Sequence, residues 1–221
     1  MILAYETSTD VCSVAFQNEE GAIFEKRIQG RSVHSDSLFL FTQEIMKEHN
    51  LSIDQIEHVL VSIGPGSYTG LRIAASAIKG IFFQSKAKII AVNTLAGYAA
   101  SHIDQTGKTI HSIIDARRTH VYHQKFSVEH KLEAISEREV IEIDAFERSL
   151  IEGDIVVGTG LQRINKSILE QVETYSTDTI SASNLIKLFR HQSESEFFEI
   201  VEIEVLNPHY ITSSQVNNSN V

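Results

Sequence analysis

Residues 59–73 read VLVSIGPGSYTGLRI and combine a strand, a glycine turn and the start of a helix. The unbroken apolar run 59–63 is typical of a strand that is buried on both faces of a sheet. The Gly-Pro-Gly turn at 64–66 ends that strand. Ser67 is a residue type that caps helix N-termini, so we expect a helix from there to about Gln84. A buried strand followed by a helix is a unit of α/β proteins.

The same type of pattern extends to both sides of this unit. Apolar alternation and polar turns predict strands, and apolar residues at helical spacing predict helices. The expected strands are 2–5, 11–16, 21–28, 88–92, 110–114, a stretch ending at Phe126, and 154–157, and the expected further helices are 35–49, 94–102 and 183–191.

The order of elements in the first half is repeated in the second. Each half begins with a strand that ends in an acid, Glu6 or Asp115, followed by a polar turn and another strand. We therefore predict two related lobes, 1–104 and 105–221, each with a mixed sheet flanked by helices. The polar tail 212–221 is expected to be frayed.

Composition and charge exclude several classes of protein. The 221 residues carry a formal net charge of -10, and an acidic chain repels a phosphate backbone, so nucleic acid should be bound only with a partner's help. The single cysteine, Cys12, lies in an apolar run and is expected to be buried and inert. We find no secretory leader and no apolar run near the ~18 residues of a membrane span, so we expect a cytoplasmic protein without a membrane segment.

The sequence of the glycine turn does not match the common nucleotide-binding motifs. A P-loop requires lysine after Gly70, where Leu71 stands, and a Rossmann fingerprint requires glycine in place of Thr69. A nucleophile elbow around Ser67 fails at the same threonine. Two interpretations remain, phosphate binding by the helix N-terminus or a tight turn that lets the helix approach its neighbour closely. The residues favour the second.

The string IGPGSYTGLRI at 63–73 resembles the signature of the bacterial TsaB (YeaZ-like) family. Further similarity lies in ILAYETST at 2–9, HSDSL at 34–38, IDARR at 114–118 with the following Val121-Tyr122, and LNPHYI at 206–211, whereas 127–200 carries little that matches. Asn207 stands where the family is expected to have an acid. The resemblance implies an α/β, two-lobed, actin-like or hexokinase-like fold of the ASKHA, RNase H-like type.

The resemblance also identifies a turn that matches a phosphate-binding hairpin. In that superfamily the acidic first hairpin faces the phosphates of a nucleotide. The matching residues here are Glu6, Thr7, Ser8 and Thr9, with Glu6 where many relatives carry aspartate and hydroxyls where a glycine would let a phosphate approach. We therefore expect a vestigial phosphate turn.

A metal site is not expected. The related TsaD family places two metal-binding histidines, in a His-x-x-x-His pattern, on the helix after the strand that corresponds to 88–92. Thr94 and Tyr98 hold those two positions here, and neither is a usual ligand of iron or zinc. We expect no bound metal and no catalytic residue.

The histidines outside that helix give no alternative site. His102 is a lone imidazole one helical turn beyond Tyr98. Four histidines between 111 and 130 share no ligand spacing on a helix or strand face, so their proximity in sequence is interpreted as coincidence: His111, His120, His123 and His130.

Two helices carry more apolar residues than one buried stripe requires, 35–49 and 67–84. By resemblance this surplus forms a partner interface, although packing into the core remains the alternative on sequence alone. The expected interface residues are His34, Leu38, Phe39, Phe41, Ile45, Tyr68, Leu71, Arg72, Ala75 and Ile78.

The resemblance implies a non-catalytic, activating subunit of the complex that forms N6-threonylcarbamoyladenosine on tRNA, paired with a TsaD-like catalytic subunit. It also implies a TsaE-like ATPase as a further member, a homodimer when the chain is alone, and tRNA contact only through the complex. No cofactor is expected, and ATP or ADP would bind, if anywhere, at an interface of the complex.

Two further hypotheses stay open. The acidic turns at Glu6 and Asp115 are compatible with a nucleotide-dependent phosphotransferase or ATPase of the actin/sugar-kinase superfamily. A metal-dependent peptidase would require a bound metal ion.

Overall fold

Two six-stranded sheets form the framework of the computed structural model, which describes residues 1–211. The first sheet contains β1 (Ile2–Glu6), β2 (Val11–Gln17), β3 (Ile23–Gln29), β4 (His58–Gly64), β5 (Lys88–Asn93) and β12 (Phe198–Val201). The second contains β6 (Thr109–Asp115), β7 (His120–Val128), β8 (Leu132–Ala134), β9 (Glu139–Glu142), β10 (Ile155–Val157) and β11 (Glu173–Tyr175). The helices are α1 (His34–Glu48), α2 (Tyr68–Phe82), α3 (Thr94–Ala99), α4 (Ile143–Ser149), α5 (Lys166–Leu169) and α6 (Ala182–Gln192).

Both sheets are mixed. The first has the order β12-β5-β4-β1-β2-β3, in which β1, β2 and β3 form an antiparallel meander and β1, β4 and β5 run parallel. The second has the order β11-β10-β6-β7-β8, with β9 also paired to β7. In each lobe the first two strands form a hairpin and a later strand pairs in parallel with the first one.

The helix after the glycine turn begins as its sequence indicates. The Ser67 side chain accepts a hydrogen bond from the backbone N–H of Gly70, which satisfies one of the free donors of the first turn. The buried residues of α2 then recur at helical spacing, and they include Leu71, Ala74, Ala75, Ile78 and Phe82. This stripe packs with α1 onto one face of the first sheet.

The other face of the first sheet is covered by α6. Leu185 and Ile186 pack against Ala4 and Leu60 there. The short α3 lies between the lobes, because Leu95 and Ala99 belong to the same apolar cluster as residues of the second sheet. That cluster joins the two sheets into one body.

The predicted lobe boundary at 104/105 is wrong for the end of the chain. From α6 onward the chain returns to the first lobe, where β12 pairs antiparallel with β5 and Leu206 joins the core of that sheet. The physical reason is that β5 would otherwise end the sheet with unpaired backbone N–H and C=O groups, and β12 pairs with that edge.

Two further sequence-based expectations concern the C-terminal tail and membrane-spanning helices. The tail 212–221, expected to be frayed, lies outside the described residues. Among residues 1–211, none of the helices has the length and apolar character that crossing a membrane requires.

Candidate functional site

A cleft of about 1100 Å³ opens between the two lobes. One wall is formed by the turn 8–10 and the glycine turn before α2, and the other by the turn 115–117 after β6 and by Gly158. The vestigial phosphate turn predicted from sequence therefore does face the cleft between lobes, since Ser8 and Thr9 line it.

Glu6 itself does not reach that cleft. It is 1% exposed. Its Oε1 accepts hydrogen bonds from the Ser8 backbone N–H, at 2.7 Å, and from the Ser8 hydroxyl, while its Oε2 accepts one from Ser62. Burial raises the pKa of the Glu6 carboxyl, and the hydrogen bonds from Ser62 and Ser8 act in the opposite direction. The acid is thus a buried structural group with both oxygens satisfied.

Thr94 and Tyr98 are committed to the same buried network. The Thr94 hydroxyl accepts a hydrogen bond from the Gly64 N–H at 2.9 Å. The Tyr98 hydroxyl lies 2.6 Å from the Ser8 hydroxyl, and burial, followed by the charge of Glu6, raises the pKa of Tyr98 well above its ordinary value. Thr94 and Tyr98 therefore connect α3 to the first lobe.

The glycine turn packs directly against the acidic turn. A Cβ on Gly66 would lie 2.5 Å from the Ser8 carbonyl oxygen, and one on Gly70 would lie 2.1 Å from that of Thr7. The Thr7 hydroxyl donates to the Gly70 carbonyl at 2.9 Å, and the Ser67 N–H donates to the Ser8 carbonyl at 2.6 Å. This geometry supports the interpretation that the glycines let the start of α2 pack closely against the acidic turn.

The interpretation of the histidine spacing as coincidence is wrong for one pair. His111 on β6 and His123 on β7 stack inside the second lobe, with Nδ1 of the first 3.1 Å from Nε2 of the second. The chain of contacts continues to Asp154, 3.2 Å from His111 Nε2, and to Glu139, 3.4 Å from His123 Nδ1. Burial lowers the pKa of both rings, that of His111 to about 3.

The pairing of His111 with His123 depends on where the β6–β7 hairpin turns. The two residues are diagonal neighbours on one sheet face, because His123 pairs with Ile113 and His111 with Lys125. Their sequence spacing alone does not reveal this. Among residues 1–211 no cluster of three or more histidine, cysteine, aspartate or glutamate side chains is arranged to hold a metal ion.

The expected partner interface is divided by the structure into buried and exposed residues. Six of the ten members are buried within the chain, and these are His34, Leu38, Ile45, Leu71, Ala75 and Ile78. The prediction is corrected for these residues, because the chain itself encloses nearly all of their surface. Phe41 is half-buried.

The exposed face of α1 and α2 is more limited, and we call it the α1–α2 face. From the prediction it retains Phe39, Tyr68 and Arg72, of which Phe39 is 50% and Tyr68 55% exposed. Sequence reasoning missed Phe83 and Gly80 on the same helical stripe as Tyr68 and Arg72. Counting outward positions at intervals of four from Tyr68 reaches Gly80, and Phe83 follows three residues later, directly after the end of α2.

The C-terminal segment fixes one end of the α1–α2 face. The Arg72 guanidinium lies 3.8 Å from the ring centroid of Tyr68, and Arg72 Nε donates to the Tyr210 hydroxyl at 2.9 Å. The rings of Tyr68 and Tyr210 stack with centroids 5.2 Å apart. His209 N–H donates to the Ile63 carbonyl at 2.7 Å and holds this segment against the end of β4.

Comparison with known sequences gives a consistent family. A family model described as TsaD: tRNA N6-adenosine threonylcarbamoyltransferase matches residues 29–186. The tRNA threonylcarbamoyladenosine biosynthesis protein TsaB of Haemophilus influenzae is 29% identical over 124 residues, which are 55% of this chain and 51% of that protein. TsaB of Escherichia coli is 31% identical over 122 residues, 55% of this chain and 52% of that protein. The chain thus spans about half the length of the curated relatives it matches.

Comparison with solved structures agrees in fold. YeaZ from Pseudomonas aeruginosa superimposes with a TM-score of 0.79 at 24% identity, covering 95% of this chain and 99% of that one. The two-lobed α/β fold expected from the sequence is confirmed. The sequence relatives above are TsaB proteins, and since the TsaD family model matches well over half of the chain, the chain belongs to that family.

Proposed function

We propose that this chain is a non-catalytic partner subunit in the formation of threonylcarbamoyladenosine on tRNA, and that it acts by binding a TsaD-like catalytic subunit. The observation that carries the proposal is the closed acidic turn, in which Glu6 lies beneath Ser8 and Ser62. The family match and the names of the TsaB relatives supply the reaction in which such a subunit would take part.

The buried network argues against catalysis by the acidic turn. A general acid or base must lie within hydrogen-bond reach of the group whose proton it transfers. The carboxylate of Glu6 is 1% exposed and already accepts three hydrogen bonds. The Tyr98 hydroxyl covers Ser8 from the side of α3. A substrate in the cleft would meet hydroxyl groups of the turn and not its carboxylate.

The α1–α2 face is the surface we assign to the catalytic partner. Along α2 its outward positions are Tyr68, Arg72, Ser76, Gly80 and the adjoining Phe83. A Cβ on Gly80 would meet no atom of the described chain within 4 Å. Small residues in the middle of an outward stripe let another helix approach closely, and the aromatic residues at both ends supply apolar contact area.

The remaining members of the proposed assembly follow from the charge and the family. A chain with a net charge of -10 gains little from a phosphate backbone, so tRNA would be held by the complex as a whole. We assign a TsaE-like ATPase to the same cytoplasmic complex. The chain would carry no cofactor of its own, and a nucleotide, where present, would belong to an interface of the complex.

The decisive experiment is reconstitution with the TsaD-like subunit of the same cell. Light scattering of the mixture is expected to show a complex that contains both chains, and threonylcarbamoylation of tRNA is expected to rise when this chain is added. Gly80→Arg should abolish both effects, because a long charged side chain would stand in the middle of the α1–α2 face. Gly80→Ala is the matched control and should retain both.

Three outcomes would overturn the proposal. The first is the absence of binding between this chain and the TsaD-like subunit at micromolar concentration. The second is full modification of tRNA without this chain. The third is a Gly80→Arg variant that remains folded and binds its partner as well as the alanine control does.

A nucleotide-dependent phosphotransferase or ATPase is the second candidate function. The observation that favours it is the interlobe cleft of about 1100 Å³, because small-molecule sites commonly occupy roughly 300–1,000 Å³. Asp115, the acid of the second turn, is instead paired with Arg163 at 3.1 Å. Calorimetry with ATP and magnesium, followed by a turnover assay on the isolated chain, separates the two functions. Tight binding with hydrolysis would favour the second.

A further inference from the structure

The outer edge of β12 has no strand partner in the described part of the chain, because β12 ends the first sheet and pairs with β5 on its inner side. Opposite residues of an antiparallel ladder alternate between pairs that exchange hydrogen bonds and pairs that do not. The Asn93 N–H donates to the Phe197 carbonyl at 2.9 Å, which makes this a bonded pair. The backbone groups of Phe198, Ile200 and Glu202 therefore point away from β5.

Four of these outward groups form no hydrogen bond within the described chain. The Phe198 N–H donates to the Ser195 carbonyl at 3.3 Å, and the Glu202 carbonyl accepts from the Val205 N–H at 3.1 Å. The groups that are left are the Phe198 carbonyl, both groups of Ile200 and the Glu202 N–H. They lie at alternate residues along one edge, which is the arrangement that pairs with an added strand.

The side chains of β12 offer apolar contact on both faces of the sheet. Phe198 packs edge-on against Phe189 of α6, with ring centroids 5.4 Å apart. Ile200 lies on the same face, two residues further on, and is 69% exposed. Val201 lies on the other face and is only partly covered by the core beside α2. Apolar side chains of an added strand would cover both residues.

The same edge is acidic. Residues 194–205 contain five glutamates and neither lysine nor arginine. All five are exposed, and within the described chain none forms an ion pair; they are Glu194, Glu196, Glu199, Glu202 and Glu204. Glu199 lies in β12 and Glu202 follows its end, so both lie beside the free backbone groups. The edge therefore combines open hydrogen-bonding groups with negative charge that the chain does not neutralise.

Charge decides which kind of strand can pair with this edge. Glutamates on an edge strand protect it against another copy of the same chain, because the second copy brings the same charges. They give no protection against a segment of opposite charge, which gains an attractive pair opposite each glutamate. An extended peptide that joins a sheet edge obtains affinity from main-chain hydrogen bonds and specificity from its alternate side chains. The complementary segment is therefore basic, with apolar residues opposite Ile200 and Val201.

We propose that the outer edge of β12 binds an extended, lysine- and arginine-rich segment of another protein, which adds a seventh strand to the six-stranded first sheet. The segment runs antiparallel to β12, with an apolar residue opposite Ile200 and basic residues opposite Glu199 and Glu202. This surface is separate from the α1–α2 face. Because a short strand buries less than the roughly 1,200 Å² typical of stable complexes, binding is expected to be weak and to weaken further as salt is raised.

Fluorescence polarisation with the labelled, end-blocked peptide Lys-Val-Ile-Arg-Val-Thr-Lys tests the strand pairing on the chain alone. In the proposed register the peptide's isoleucine lies opposite Ile200, its arginine opposite Glu199 and its first lysine opposite Glu202. Methylating the isoleucine nitrogen removes the N–H that donates to the Ile200 carbonyl and should weaken binding by at least about tenfold. Methylating the arginine nitrogen, which points away from β12, is the matched control and should leave the affinity unchanged.

Charge variants of the chain test the acidic edge. Glu199→Lys combined with Glu202→Lys should weaken binding of the peptide by at least about tenfold, because two attractive pairs become repulsive. Glu19→Lys combined with Glu20→Lys changes the net charge equally in the exposed turn between β2 and β3, and it should have little effect. The proposal would be overturned by a dissociation constant above about 1 mM, by equal binding of the two methylated peptides, by equal binding of the acidic peptide Glu-Val-Ile-Glu-Val-Thr-Glu, or by equal losses in the two double variants.

Discussion

Replacing Gly70 by alanine is expected to destabilise the chain strongly, whereas the same change at Gly80 on the same helix is expected to stabilise it. A Cβ at position 70 would lie 2.1 Å from the Thr7 carbonyl oxygen, so the two groups must separate by about 1 Å even for a tight contact. That movement strains the hydrogen bond from Thr7 to the Gly70 carbonyl. At Gly80 the added methyl group meets open space.

The magnitudes have opposite signs. Overpacking of about 1–3 kcal/mol and the loss of one or two hydrogen bonds of about 1 kcal/mol each, less the gain in helix propensity, give a net loss of about 2–4 kcal/mol for Gly70→Ala. Gly80→Ala should gain about 0.5–1 kcal/mol, because alanine has less conformational freedom to lose on folding. For a chain of this size each kcal/mol corresponds to about 2–4 °C in Tm.

Differential scanning calorimetry of the two variants and the wild type is the assay. We expect Tm to fall by about 5–15 °C for Gly70→Ala and to rise by about 1–4 °C for Gly80→Ala. Equal Tm values for Gly70→Ala and the wild type would refute the close packing of the glycine turn on the acidic turn. A fall of the same size in both variants would attribute the effect to the helix alone.

Three further predictions concern buried contacts. Tyr98→Phe removes the hydrogen bond to Ser8 and should lower the free energy of unfolding by about 1 kcal/mol in urea titrations; an unchanged midpoint would contradict the network. The pKa of His111 is about 6.5 in the unfolded chain but about 3 in the folded chain, so only the unfolded chain binds this proton between those values. The free energy of unfolding should therefore fall as the pH drops below about 6.5, by up to about 1.4 kcal/mol per pH unit. His111→Leu should flatten this slope, while the surface change His130→Gln should not. Tyr210→Ala should speed hydrogen exchange at the preceding amide, which is bonded to β4; unchanged exchange would show that the ring contacts do not hold this segment.

The regular elements could be predicted where local pattern and environment agree. The buried strand 59–63, the Ser67 cap and the stripe that follows are set by residues close together in sequence. The burial of Leu38 and Ile78 in the chain's own core could not be predicted, because an apolar residue on a helix has the same sequence pattern whether it faces its own sheet or a partner.

Long-range contacts account for the other differences. The burial of the Glu6 carboxylate depends on a hydrogen bond from Ser62, which is 56 positions away. The contact of His111 with His123 depends on the turn between their strands. The return of β12 to β5 joins segments about a hundred positions apart. Such contacts are decided by the whole fold, and a short window of sequence contains no record of them.

The late position of β12 and Leu206 affects how the chain is made. The first lobe obtains its outermost strand and one of its core side chains from residues after 197, so a ribosome must synthesise most of the 221 residues before that lobe is complete. Until then the backbone N–H and C=O groups on the outer edge of β5 have no strand partner and are available for wrong pairing. Nascent chains that stop before β12 should therefore aggregate or recruit chaperones, although they already contain every residue of the acidic turn and of the α1–α2 face.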